Sequence, residues 1–351
     1  MNMDETRLQQ FMEKMIGDLG AAASAALVVT GDRLGLYKAM AEAGPIDSAA
    51  LAARTGTSER YVREWLAAQA AAGYITYDAG ARRYSLTPEQ ATVFADETSP
   101  AFMPGGFQVV ASLFRDEGKI GEAFRTGKGV GWHEHDPILF RGTERFFRPG
   151  YAAHLVSEWI PALEGMKERL ERGVRVADVG CGHGASTIVM ARAFPNSTFT
   201  GFDYHPPSIE RARELAREAG VADRIKFEVG SAKNYPGTYD LVAFFDCLHD
   251  MGDPVGAARH VFESLAHEGA WMLVEPFAHD RVEDNFNPIG RIFYAASTMI
   301  CTPASLAQEV GLGLGAQAGE RALREVVTAG GFTRFRRAAQ TPVNLIFDVR
   351  R

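Results

Sequence analysis

The stretch Val174-Arg175-Val176-Ala177-Asp178-Val179-Gly180-Cys181-Gly182-His183-Gly184-Ala185 decides the reading of this chain. Val174 to Val179 has the character of a buried strand, glycines then recur at alternate positions, and a helix is expected to begin near Ala185. Glycines in such a turn let the backbone bend sharply and approach a ligand, while the helix N-terminus offers unpaired N–H groups. Read with Ala185, the turn also satisfies the dinucleotide pattern GxGxxA, so other residues must choose between cofactors.

Two carboxylates bear on that choice. Asp178, two residues before Gly180, would repel a pyrophosphate but could hold a cationic or hydrogen-bond-donating ligand; S-adenosylmethionine carries an ammonium and a sulfonium and no phosphate. The plainer reading of Asp178 is a carboxylate that stabilises the turn or caps the helix. Asp203 ends the next strand, 19 residues past Gly184, where a carboxylate can accept from ribose hydroxyls; enzymes of NAD share this feature, and a solvated strand end is its plainer reading.

Outward from the turn, short apolar strands alternate with amphipathic helices. Strands are expected at Val174–Val179, Thr198–Phe202, Ile225–Val229, Tyr239–Phe245 and Ala270–Glu275, and Pro207 to Ala219 places Ile209, Ala212, Leu215, Ala216 and Ala219 on one helical face. Phe332–Arg336 and Val343–Val349 have no helix between them and read as an antiparallel hairpin at the sheet edge. The fold class expected is therefore α/β: a Rossmann-like, seven-stranded, mostly parallel sheet with helices on both faces.

Asp178-Val179-Gly180-Cys181-Gly182-His183-Gly184, Asp203 and Tyr239-Asp240-Leu241-Val242 together resemble, in order, the motif series of class I S-adenosylmethionine-dependent methyltransferases. The resemblance covers the C-terminal half and implies S-adenosylmethionine as cofactor and S-adenosylhomocysteine as product. It implies that Asp203, followed by Tyr204, binds the ribose, that Gly230, Ser231 and Ala232 flank the adenine, and that Asp246 and Cys247 lie beside the methionine part. Many relatives carry an acidic residue where Ser231 stands. Trp159 and Phe147 could cover the cofactor as aromatics do in this group, with a core role as the alternative.

Leu248-His249-Asp250 resembles the His-Asp pair of small-molecule O-methyltransferases with an N-terminal winged helix, in which the histidine is the base. The resemblance thus implies methyl transfer to a hydroxyl by in-line displacement with His249 as general base, Glu275 as its orienter and Asp250 as local support or as the cap of the next helix. A thiol is the rival acceptor, because it ionises with little help. Tyr294, Ser297 and Cys301, with Tyr151 and His154, are candidates to line the acceptor pocket.

The N-terminal part reads as a mainly α winged-helix domain: helices at Leu34–Ala41, Ser48–Arg54 and Ser58–Ala72, with Ser48 and Ser58 as caps and Gly73 as a stop, then a hairpin of Tyr74–Tyr77 and Arg82–Leu86. Residues 1–100 carry nine Lys or Arg against thirteen Asp or Glu, and a groove reader needs a basic stripe. A dimerisation domain is the expectation, giving a homodimer, with an S-adenosylmethionine-sensing transcriptional regulator as the alternative and no nucleic acid as partner. The domains expected are 1–98 winged helix, 99–172 an aromatic linker and lid, and 173–351 the cofactor domain.

Three cysteines without a pairing pattern argue against a disulfide scaffold and for a reducing, cytoplasmic setting. The run Ala21 to Val29 is shorter than a bilayer span and follows acidic residues, so neither a signal peptide nor a membrane association is expected. His133-Glu134-His135 lacks further ligands at recognisable spacing, and no metal is expected. Gly311-Leu312-Gly313-Leu314-Gly315 lacks a preceding strand and reads as a flexible turn. A small-molecule methyl acceptor is the expected partner.

Overall fold

In the computed structural model, which describes residues 3–351, the chain divides into two units, Met1–Ser112 with Arg141–Pro149 and Leu113–Phe140 with Gly150–Arg351. The segment expected as a lid is shared: residues 99–112 and 141–149 belong to the first unit, 113–140 and 150–172 to the second.

The first unit is built on a helix from Glu5 to Arg33, capped by Asp4, whose side chain accepts from the Arg7 N–H. The apolar run Ala21–Val29 is part of this much longer helix, which by length and composition alone could cross a membrane. Its C-terminal end is a core element instead: Ala25, Val28 and Gly31 are buried, and the Leu27 carbonyl accepts from Trp65 Nε1. Its N-terminal half leaves Leu8, Phe11, Met12, Ile16 and Leu19 exposed. Helices Leu36–Ala43, Ser48–Thr55 and Glu59–Ala71 follow, then the paired strands β1 (Thr76–Asp78) and β2 (Arg83–Ser85). The cap of the second of these is Asp47 rather than Ser48, because the Asp47 side chain reaches the Ala50 N–H. Ser58 stands at the cap position of the third without a side-chain bond. On that helix Arg60 pairs with Glu64 and Arg63 with Glu59, so its arginines are neutralised along their own helix and present no basic stripe. Asp32 ties the unit together by a two-pronged pair with Arg145 at 2.6 and 3.0 Å.

The second unit carries seven strands: β3 (Arg175–Val179), β4 (Thr198–Asp203), β5 (Ile225–Val229), β6 (Tyr239–Phe245), β7 (Leu265–Pro276), β8 (Arg334–Gln340) and β9 (Asn344–Arg350), in spatial order β5-β4-β3-β6-β7-β9-β8. β9 runs antiparallel to both of its neighbours, β7 and β8, and every other pairing in the sheet is parallel. The expected terminal hairpin is present, but its second strand lies inside the sheet and β8 forms the edge. Burial explains this: β9 is covered along Asn344–Val349, whereas β8 exposes Arg334, Arg336, Arg337 and Gln340, with Arg337 pairing with Glu320. The helix Pro206–Glu218 buries Ile209, Ala212 and Ala216 as its periodicity requires. Because β4 and β6 flank β3 on opposite sides, the chain reverses its winding at β3, and ligands of open α/β sheets bind at the carboxyl ends of such strands.

Candidate cofactor and acceptor site

The glycine turn leaves β3 at that reversal point. Gly184 caps the helix Ala185–Ala193 at φ 76°, and a Cβ there would come within 2.5 Å of the Phe227 ring. Gly182 is different: at φ 52° it faces open space, with nothing within 4 Å of a would-be Cβ.

Asp178 is buried behind the turn. Ser186 and Thr187 both donate to its Oδ2 at 2.6 Å, so one oxygen fastens the helix as the plainer reading required. The other oxygen, Oδ1, is buried without a hydrogen-bond partner among the described residues. Burial pushes the carboxyl up to about 6, the nearby Asp203 adding to the shift and the two hydroxyls opposing it. Asp203 is 9% exposed, so it is no solvated strand end. Its Oδ2 accepts from the Gly182 N–H and its Oδ1 from the His205 N–H, both at 2.9 Å. Beside it, Phe140 stacks on His205 at 4.9 Å and His133 meets the Tyr204 ring edge-on at 6.3 Å, so residues of the 113–140 segment lie over this corner.

Gly230, Ser231 and Ala232 follow β5, with the Gly230 N–H bonded to the Asp203 carbonyl, and Ser231 bends the chain by accepting from Lys233. Asp246 ends β6 at φ 50°, a left-handed backbone that a residue other than glycine rarely adopts. It is held there by Asn344 Nδ2, which donates to Oδ1 at 2.7 Å, and by Tyr151, whose hydroxyl is 3.4 Å from Oδ2. Cys247 donates to the Val179 carbonyl at 3.3 Å and packs against Gly180, where a Cβ would meet its sulfur at 2.7 Å. The turns after β3 and β6 are thus in direct contact.

His249 follows at once. Its Nδ1 lies 2.6 Å from Glu275 Oε2, while Glu275 Oε1 accepts from the Leu248 N–H, so a buried carboxylate on β7 fixes the ring. Nε2 lies 3.1 Å from Asp250 Oδ1 without hydrogen-bond geometry. Burial alone would lower the proton affinity of this imidazole, but Asp250 and Glu275 overcome it and raise the pKa well above its usual value. Asp250 does not cap the next helix; Asp253 does, accepting from Gly256.

The remaining candidates divide. Tyr151 and Trp159 are buried, Trp159 at 2% exposure and enclosed by protein, which is its core alternative. Phe147 belongs to the first unit, edge-on to Phe146 at 5.1 Å. His154 is partly exposed beside Glu158. Ser297 accepts from the Ala316 N–H and is buried, as is Cys301, while Tyr294 is half-buried. Tyr151–Trp159 and Ser297–Cys301 are both π-helical, a widened backbone that recurs at functional sites. Ser186, Thr187 and Asn344 escaped the motif reading. A hydroxyl pair one turn into the helix that faces Asp178 was the available signal for the first two; nothing local marks Asn344.

An orphaned carboxylate oxygen, an open-faced glycine and a cluster of acceptors suit a hydrogen-bond-donating, positively charged nucleoside ligand. Fold and turn together define a class I methyltransferase domain, whose cofactor is S-adenosylmethionine. Residues 170–321 match the family described as methyltransferase domain, and residues 22–95 the Rv2258c-like winged HTH domain. Residues 170–321 thus carry a methyltransferase domain of the class I, S-adenosylmethionine-dependent kind, and residues 22–95 a winged-helix domain.

Among curated proteins, it is 26% identical over 149 residues to norajmaline N-methyltransferase of Rauvolfia serpentina, covering 39% of this chain and 50% of that one. It is 37% identical over 107 residues to 27-O-demethylrifamycin SV methyltransferase of Amycolatopsis mediterranei, covering 30% and 39%. The chain thus spans half or less of the length of these relatives. Among solved structures it is similar in fold to mitomycin 7-O-methyltransferase MmcR, with TM-score 0.69, 21% identity and coverage of 99% and 100%. Human N-acetylserotonin methyltransferase with S-adenosylmethionine gives TM-score 0.70 at 17% identity, with 97% of each chain covered.

Proposed function

We propose that this protein transfers the methyl group of S-adenosylmethionine to a hydroxyl or thiol of a small molecule, and that thiols and acidic hydroxyls are its better acceptors. The observation that carries the reading is the contact between the glycine turn and the segment Asp246–Asp250, through Cys247 and the Val179 carbonyl, which sets an acceptor-side histidine next to the cofactor turn. When bound, S-adenosylmethionine supplies a methyl carbon on a sulfonium, open to in-line displacement from the side opposite sulfur.

The chain's own residues do the rest. Asp203 and Gly182 hold the turn in shape, Asp178 Oδ1 offers an acceptor to the donor's cationic end, and Asn344 with Tyr151 fixes Asp246. Glu275 clamps His249 so that an acceptor meets a rigid wall, and orientation of this kind supplies much of the rate of a displacement. His249 Nε2 faces Asp250 rather than open space, which speaks for an acceptor that ionises with little help from a histidine base. Three free cysteines fit a reducing, cytoplasmic setting. The exposed stripe Leu8, Phe11, Met12, Ile16 and Leu19, at helical spacing, fits a homodimer.

The experiment is a screen of small thiols, phenols, alcohols and amines for release of S-adenosylhomocysteine. Turnover with thiols or phenols above that with alcohols and amines is the expected result; turnover with amines alone overturns the acceptor assignment.

A further inference from the structure

The turn that carries His249 is held by a part of the chain more than fifty residues further on. Each of its four successive carbonyls accepts a hydrogen bond from the segment 305–315: His249 from the Gly315 N–H at 3.3 Å, Asp250 from Gln308 Nε2 at 2.9 Å, Met251 from Ser305 Oγ at 2.8 Å and Gly252 from the Leu312 N–H at 2.9 Å. The Ser305 hydroxyl also accepts from the Gly313 N–H at 3.0 Å, which closes the segment on itself. Gly252 is where the two backbones meet, because a Cβ there would come within 2.5 Å of Gln308 Cβ and 2.7 Å of the Glu309 carbonyl oxygen.

The run Gly311 to Gly315, expected as a flexible turn, is thereby anchored through Leu312 and Gly315. Val310 and Gly311 precede it with left-handed backbones, at φ 68° and 66°, and bend the chain back so that these N–H groups face the turn. A β-branched residue rarely takes that conformation, and it persists where the surrounding bonds dictate it. One residue beyond the segment, the Ala316 N–H donates to Ser297 Oγ at 3.1 Å, so the same stretch also reaches the π-helical Ser297–Cys301. None of these bonds ends on the glycine turn after β3 or on Asp203. They all serve the acceptor side.

We propose that the segment 305–315 positions His249 for methyl transfer by fixing the backbone of residues 249–252, with Ser305 and Gln308 as positioning residues. The inference rests on the methyl-transfer reading. A turn held at four consecutive carbonyls keeps the imidazole where Glu275 can clamp it, and misplacing a positioned group by about 1 Å can cost about 100-fold in rate. Within electrostatic reach of the ring lie Glu275 from β7, Asp246, Cys247 and Asp250 from its own turn, and Cys301 from the π-helical segment. Asp250 and Glu275 hold the proton affinity of His249 above the ordinary value. A ring freed from its place returns toward that value, hence downward.

The test uses the full chain isotope-labelled at histidine, with His249→Ala assigning the His249 ring signals by nuclear magnetic resonance. Gln308 is exposed, so Gln308→Ala removes one donor without opening the core, whereas Gly252→Ala pushes the segment off the turn and leaves every donor in place. In both variants the midpoint of the His249 titration should fall by about half a pH unit or more. With an acceptor that turns over, kcat should fall by about 10-fold or more while KM changes by less. Affinity for S-adenosylhomocysteine, measured by calorimetry, should match wild type and serves as the check on folding. A His249 midpoint unmoved in both variants overturns the proposal even if their urea midpoints fall, because a segment that only stabilises the fold would leave the ring alone. If Gly252→Ala does not fold, Gln308→Ala decides. The titration needs no acceptor, so failure of the methyl-transfer reading shows separately, as no S-adenosylhomocysteine formed with any compound in the screen.

Discussion

The Asp203 carboxylate holds the Gly182 N–H at 2.9 Å, joining the end of β4 to the middle of the turn that leaves β3. Its second oxygen takes the His205 N–H, so a single buried side chain pins both loops at one corner of the sheet. A hydrogen bond to a charged group contributes about 1.5–3 kcal/mol. Asp203→Ala should therefore weaken S-adenosylhomocysteine by at least about 10-fold, measured by calorimetry. An affinity equal to wild type would separate Asp203 from the cofactor.

Asp178 makes stability depend on pH in a direction opposite to most carboxylates. Its folded pKa, about 6, lies above the ordinary 3.8, so the carboxylate is disfavoured in the folded chain. Its contribution to stability is complete below pH 3.8 and is lost as pH rises through 6, a span worth on the order of 3 kcal/mol. Urea unfolding at pH 4.5 and 7.5 should show Asp178→Asn losing part of that decline. The same slope in both proteins would contradict the assignment.

His249→Ala should leave S-adenosylhomocysteine affinity within about twofold, because the ring contacts Glu275 and Asp250 and none of the turn residues. Turnover should fall by about 100-fold or more, the cost of a misplaced acceptor. Glu275→Gln should fall in the same direction by less. Full turnover in His249→Ala would remove the residue from the reaction.

The exposed stripe on the first helix predicts the oligomeric state. Light scattering on a sizing column should show a dimer, and Phe11→Glu with Ile16→Glu should give a monomer with an unchanged far-ultraviolet dichroism spectrum. A monomeric wild-type protein would end the proposal.

Much of this chain could be read from its residues alone. The alternation of apolar strands with amphipathic helices, the glycine turn, Asp203 at its strand end and the short wing all express a local period or a local backbone need, and such patterns survive without knowledge of distant partners. What the folded chain added are pairings between residues far apart in sequence. Asn344 on β9 reaches Asp246 because β9 inserts beside β7, an order set by which strand can be buried on both faces. Cys301 comes to His249 because the π-helical segment Ser297–Cys301 packs against the turn after β6, and no spacing rule links the two. His249, read as a general base with Glu275 as orienter and Asp250 as support, lies 2.6 Å from Glu275 and 3.1 Å from Asp250, but only the folded chain shows which ring nitrogen faces which carboxylate. A periodic pattern is written in consecutive residues, whereas the partner of a buried polar atom is chosen only when the layers close.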